Sequence, residues 1–140
     1  MKSRILISGL LISLMLSCSA VVGPNLTVRN EMTQDIILVE WNGVSFDDEP
    51  ILDVYNDTMV KGIKSGKSKM RPVDAGEGYL KFRFVDEPDF YKTQNPQNVK
   101  ENHILTLRDS TDITKASLEI SYYNGNTLIT ETVELIKISE

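Results

Sequence analysis

From residue 79 to residue 85 the chain alternates chemistry at each step. Leu80, Phe82 and Phe84 are apolar, and Lys81 and Arg83 lie between them. A period of two belongs to a strand with one face on a core and the other in water. The pattern predicts that Leu80, Phe82 and Phe84 point inward while Lys81 and Arg83 face solvent. The same period recurs. Leu26 and Val28 open a short strand, and Ile37, Val39 and Trp41 alternate within 36–41. Leu105 and Leu107 alternate within 104–108, as do Leu118, Ile120 and Tyr122 further on, and Ile129, Val133 and Leu135 follow on 127–138. Residues 51–55, 59–63, 68–73 and 90–93 are weaker strand candidates. Pro72 marks a sheet edge, because proline cannot donate to a ladder, and 90–93 is expected at an edge as well. The polar stretch 94–102 reads as a loop. Asn42-Gly43, Ser65-Gly66-Lys67, residues 74–78, residues 86–89 and Asn124-Gly125-Asn126 are turn signals. No segment carries three turns of amphipathic helix. Seven to nine short strands with frequent turns predict an all-β fold, a single antiparallel β-sandwich, with a small closed barrel as the alternative.

The first residues follow a different logic. Lys2 and Arg4 precede an apolar run over 5–16, and Ser17 and Cys18 follow it. A charged start, a short apolar middle and a small residue at the cut form the layout of a secretory signal. About a dozen apolar residues fall short of the ~20 that span a bilayer core. Leu14-Met15-Leu16-Ser17-Cys18 resembles a lipobox, the site at which bacterial signal peptidase II cuts between Ser17 and Cys18 after the cysteine sulfur is acylated. The resemblance implies a signal peptide over 1–17, a lipid on Cys18, a tether over 18–25 and a sandwich domain over 26–140. Ser19, rather than an acid, after the cysteine implies the outer membrane. Cys18 is the only cysteine of the chain, so no disulfide or thiolate metal site is available. In a bacterial envelope the sequons at Asn25 and Asn56 are chance matches.

A chain starting at Cys18 holds 13 basic and 20 acidic residues, a net charge of −7. That balance disfavours nucleic acid and opposes bulk attraction to anionic lipid. Membrane attachment then falls to the lipid. The tether, about 25 Å when extended at ~3.3 Å per residue, keeps the domain near its membrane.

The stretch 63–84 joins a strand end, a Gly-Lys-Ser turn, an extended segment, a Gly-rich turn and Gly78-Tyr79-Leu80-Lys81-Phe82. It is similar to the middle of small bacterial lipoproteins with an immunoglobulin-like or transthyretin-like sandwich. The lipoprotein of type VI secretion systems has the same general layout. The likeness implies a non-enzymatic interaction or adhesion module that meets a protein partner, with a structural or assembly lipoprotein of an envelope or secretion complex as the alternative.

A hydrolytic triad needs histidine, and His103 stands alone without a nucleophile motif, which reads as a surface or loop histidine. Gly66-Lys67-Ser68 has the end of a phosphate-binding loop, but Lys61 occupies the position of its first glycine. No catalytic set, cofactor or metal site is expected. Asp47, Asp48 and Glu49, and again Asp86, Glu87 and Asp89, form acidic loops. They read as solvated turns, although carboxylates from two loops could together hold Ca²⁺. Lys61, Lys64, Lys67, Lys69 and Arg71 form a run without an acid between Val60 and Val73. It is the candidate contact for anionic lipid or a partner, against the plainer role of guarding an edge strand.

Overall fold

The structure, a computed structural model, describes residues 23–109, 117–124 and 126–138. The signal-like segment, Ser17, Cys18 and most of the tether lie outside these residues, as does most of the turn expected after Asp109. Thirteen strands are present among the described residues and no helix: β1 (Asn25–Asn30), β2 (Ile36–Trp41), β3 (Val44–Ser45), β4 (Glu49–Asp53), β5 (Thr58–Ile63), β6 (Ser68–Pro72), β7 (Gly76–Gly78), β8 (Leu80–Phe84), β9 (Phe90–Thr93), β10 (Gln97–Val99), β11 (His103–Arg108), β12 (Ser117–Asn124) and β13 (Thr127–Ile138). The count exceeds the expected seven to nine, in part because β3, β7 and β10 are too short to show a period.

The strands form two layers joined by one long strand. The first layer runs β6-β1-β11-β12-β13 and the second runs β13-β9-β8-β2-β5-β4. β13 belongs to both: its residues up to Glu134 pair with β12, and Leu135 to Ile138 pair with β9. A strand that changes layers makes a sandwich corner. Leu26, Val28, Leu105 and Leu107 from the first layer share one core cluster with Ile36, Val39, Trp41, Ile63, Leu80 and Phe82 from the second. The β12–β13 ladder closes with Asn124 opposite Thr127. Asn42 and Gly43, with φ of 47° and 80°, join β2 to β3, the left-handed pair that a tight hairpin requires.

Four expectations are corrected. β1 and β11 pair in parallel, with Leu26 opposite His103, within an otherwise antiparallel set of ladders. β9 lies between β8 and β13 and is not an edge. The stretch read as a loop contains β10, which pairs with β7 and buries Val99. β2 does not alternate cleanly, because its register with β8 shifts between Ile37 and Glu40, and Leu38 sits at a φ of 53°. This bulge sends Ile36, Val39 and Trp41 into the core cluster and leaves Ile37, also fully buried, outside it.

Ile37 pairs with Gly62 of the β4–β5 hairpin, which attaches to β2 through only two residue pairs, Ile36 with Ile63 and Ile37 with Gly62. The crossing is tight. A Cβ on Gly62 would lie 2.0 Å from the Ile36 carbonyl oxygen, so only glycine lets the backbones meet. The hairpin tip then reaches the end of β8, where the Tyr55 N–H donates to the carbonyl of Val85, the residue just after the strand, at 3.0 Å. In a flat sheet β4 would lie three strand spacings, roughly 14 Å, from β8. The contact therefore requires the hairpin to curl across the outer face of the second layer.

Candidate functional site

Arg83 is the residue most altered by that curl. Its position on β8 promised a solvated side chain, yet it is only 4% exposed. Its neighbour across the ladder is Ile37, and the curled hairpin brings Asp53 onto Arg83. The Arg83 guanidinium donates to an Asp53 carboxylate that is itself 2% exposed. Asn56 donates to the same carboxylate, through its backbone N–H at 3.3 Å and its side chain at 3.0 Å. Burial pushes the Asp53 carboxyl up. The two Asn56 bonds and the Arg83 charge outweigh it, so the group titrates below its ordinary value. Arg83 Nε has no hydrogen-bond partner among the described residues. No sequence signal marked this pair, because Asp53 and Arg83 meet only through the fold.

The basic run does not form one continuous patch. Lys61 lies on β5, Lys64 and Lys67 sit around the turn into β6, and Lys69 and Arg71 lie on β6. β6 ends the first layer, as Pro72 predicted. Lys69 pairs with Val28 and Arg71 with Leu26, so both project from the core-facing side of the edge. Lys69 Nζ crosses to the other layer and meets Asp48 at 2.9 Å, and Lys64 meets Glu49 at 3.3 Å. Thus the first acidic loop is bound to the basic run, which the sequence did not indicate. Lys61, Lys67 and Arg71 are exposed and make no ion pair with a described residue. Inward-directed charge on an edge strand is a known guard against strand addition.

Asp47, Glu87 and Asp89 have partners as well, while Asp86 is exposed. Asp47 accepts the Val39 N–H at 2.9 Å and steadies the β2 bulge, and burial raises its carboxyl above the ordinary value. Glu87 accepts the Tyr91 hydroxyl at 2.9 Å. Burial, and then that carboxylate, push the phenol up to about 12. Asp89 meets Lys137 at 3.1 Å. Among the described residues no three His, Cys, Asp or Glu gather in a way that could hold a metal. His103 starts β11 and is 5% exposed, a buried residue rather than a surface one, with Nδ1 at 2.5 Å from the Glu101 carbonyl oxygen. Gly66-Lys67-Ser68 is a turn: Gly66, at a φ of 80°, donates to the Asn30 carbonyl, and Lys67 closes back onto Lys64.

Two surfaces stand out by exposure and chemistry. On β8 and β9, Lys81 and Lys92 stand directly opposite each other. Each ammonium lies 4.3 Å from a ring centroid, Lys81 over Phe90 and Lys92 over Tyr79. On the β4–β5 hairpin, Leu52, Val54, Tyr55 and Met59 are 47–64% exposed. No protein-family model matches the chain, and searches of curated proteins and of solved structures give no match either.

Proposed function

We propose that this chain is a lipid-anchored protein of the bacterial envelope, held at the outer membrane, that acts as a non-enzymatic interaction or adhesion module. The observation that carries the reading is the signal-like segment ending at Cys18. The all-β domain supports it by presenting exposed apolar residues, Leu52, Val54, Tyr55 and Met59, and exposed cations, Lys61, Lys67 and Arg71, on its surface. Each buried CH₂ of an acyl chain contributes about 0.8 kcal/mol, so two or more chains on Cys18 give firm attachment. Cys18→Ala is expected to abolish metabolic labelling by an alkynyl fatty acid in a bacterial host. Equal labelling of the variant and the natural chain would remove the anchor from the proposal.

The same reading gives the basic run a specific test. Lys61, Lys67 and Arg71 are the cations left for an outside partner, because Lys64 and Lys69 already bind acids. Each basic residue near an anionic headgroup surface is worth about 1 kcal/mol. Changing these three to Gln is expected to reduce co-sedimentation with vesicles rich in anionic lipid, and raised salt is expected to weaken the natural protein's binding through screening. If the triple variant binds vesicles unchanged but aggregates, the run only guards the β6 edge.

A further inference from the structure

We propose that the β4 edge is a self-association surface, and that its occupant is the β4 strand of a second copy of this chain, added antiparallel about Leu52. The two ends of the sheet path are β6 and β4, and they are treated differently. The β6 edge carries Lys69 and Arg71 directed inward and ends in Pro72. The β4 edge carries Leu52, 47% exposed, beside Met59, 64% exposed, its direct partner on β5. Val54 and Tyr55, at 59% and 57%, extend the apolar surface to the tip. An exposed apolar edge strand invites another strand.

The backbone decides the register. Pro50 stands opposite Lys61 and has no N–H, so that pair cannot exchange ladder bonds. In an antiparallel ladder bonded and unbonded pairs alternate. The groups of Glu49, Ile51 and Asp53 therefore turn toward β5, and those of Pro50 and Leu52 turn to the open side. Two β4 strands meeting about Leu52 exchange both Leu52 N–H and C=O groups, and neither copy needs a proline N–H at the centre. That register aligns Met59 and Leu52 with the partner's Leu52 and the partner's Met59 in one apolar row. The next row out sets Pro50 opposite the partner's Val54, so no charge is buried at the contact. The acids of β4 bring no unpaired charge to the contact, because Glu49 is bound to Lys64 and Asp53 to Arg83. A two-fold pairing closes on itself, whereas β4 added to a β6 edge would propagate.

The inference stands apart from the lipid anchor, and its test uses full-length chain carrying Cys18→Ser, which cannot be acylated at that position. Sedimentation velocity over a concentration series is expected to show monomer converting to dimer. Leu52→Lys sets like charges opposite each other and is expected to weaken the association at least tenfold, with the thermal melt unchanged because the side chain is half exposed. Met70→Lys on β6, at a site 60% exposed, is expected to leave it intact. Leu52→Cys in the same background is expected to form a disulfide-linked dimer under mild oxidation, since directly opposite residues fall within disulfide reach. The proposal is overturned by a monomer at every concentration, by an association that Leu52→Lys does not weaken, by one that Met70→Lys weakens equally, or by growth beyond a dimer. Failure of the Leu52→Cys chain to cross-link while it still associates overturns the register.

Discussion

Replacing Asp53 with alanine is expected to cost the fold about 3–5 kcal/mol, the penalty for stranding a buried charge by removing its partner. Arg83 would keep its guanidinium inside the structure with the Asp53 carboxylate gone, and its Nε is already unpartnered among the described residues. Domains of this size are stable by about 5–15 kcal/mol, so the loss is a large share of the total. The loss comes from the orphaned charge rather than from any large worth of the pair itself. The double variant Asp53→Leu with Arg83→Met is therefore expected to recover most of it, as apolar replacements of buried pairs do. Urea melts of the single and double variants measure both effects. A single variant within 1 kcal/mol of the natural protein, on the scale of ordinary surface changes, would show that the pair opens to water. The pH dependence has a definite sign. The folded Asp53 carboxyl lies below its ordinary value of 3.8, so its contribution is present above that value and is lost as pH falls through the folded pKa. The stability gap between the natural protein and Asp53→Ala should accordingly narrow in acid and stay constant near neutrality.

Phe82→Ala is expected to destabilise by about 3–5 kcal/mol, the range for emptying a buried aromatic site. Phe82 is fully buried in the core cluster. Its ring centroid lies 5.5 Å from that of Phe84, edge on, and 5.8 Å from that of Tyr91, stacked. Removing the ring leaves Phe84 and Tyr91 facing a void that a close-packed sandwich cannot fill without moving strands. Lys81→Ala, on the adjacent outer position, is the matched control and should cost far less. If Lys81→Ala proved the more damaging change in denaturant melts, the orientation of β8 would be wrong.

The contrast between Phe82 and Arg83 shows where local pattern carries information. Alternation along 79–85 placed Leu80 and Phe82 correctly, because a strand's side-chain period is local geometry. It placed Arg83 in water, because alternation reports that a second face exists but not what later covers it. The cover comes from Asp53, thirty residues earlier in the chain, and depends on a hairpin that curls only because Gly62 allows two backbones to touch. His103 follows the same rule. A lone polar residue beside a strand reads as exposed until β1 and β12 close on either side of it.

The candidate sites divide the same way. The basic run was visible as five cations without an intervening acid, and Pro72 identified its β6 portion as an edge. Its pairing with Asp48 and Glu49 was not visible, since those acids come from the other layer. The apolar row of Leu52 and Met59 was hidden for a related reason: an apolar residue in a weak strand is read as core, and only the finished sheet shows which strand is left at the end.

By itself, then, the order of residues determined the β class, most turns, the core positions of β1, β8 and β11, and the signal-like layout that ends at Cys18. These follow from backbone period, turn stereochemistry and segment hydropathy, which act over a few residues. Tertiary structure alone decided the parallel pairing of β1 with β11, the passage of β13 between layers, the bulge that re-aims β2, the burial of Arg83 with Asp53 and the exposure of Leu52 with Met59. Each of these is a contact between segments far apart in the chain. The free energy of such a contact depends on which surfaces remain uncovered after every other strand has found its place, and no local pattern records that.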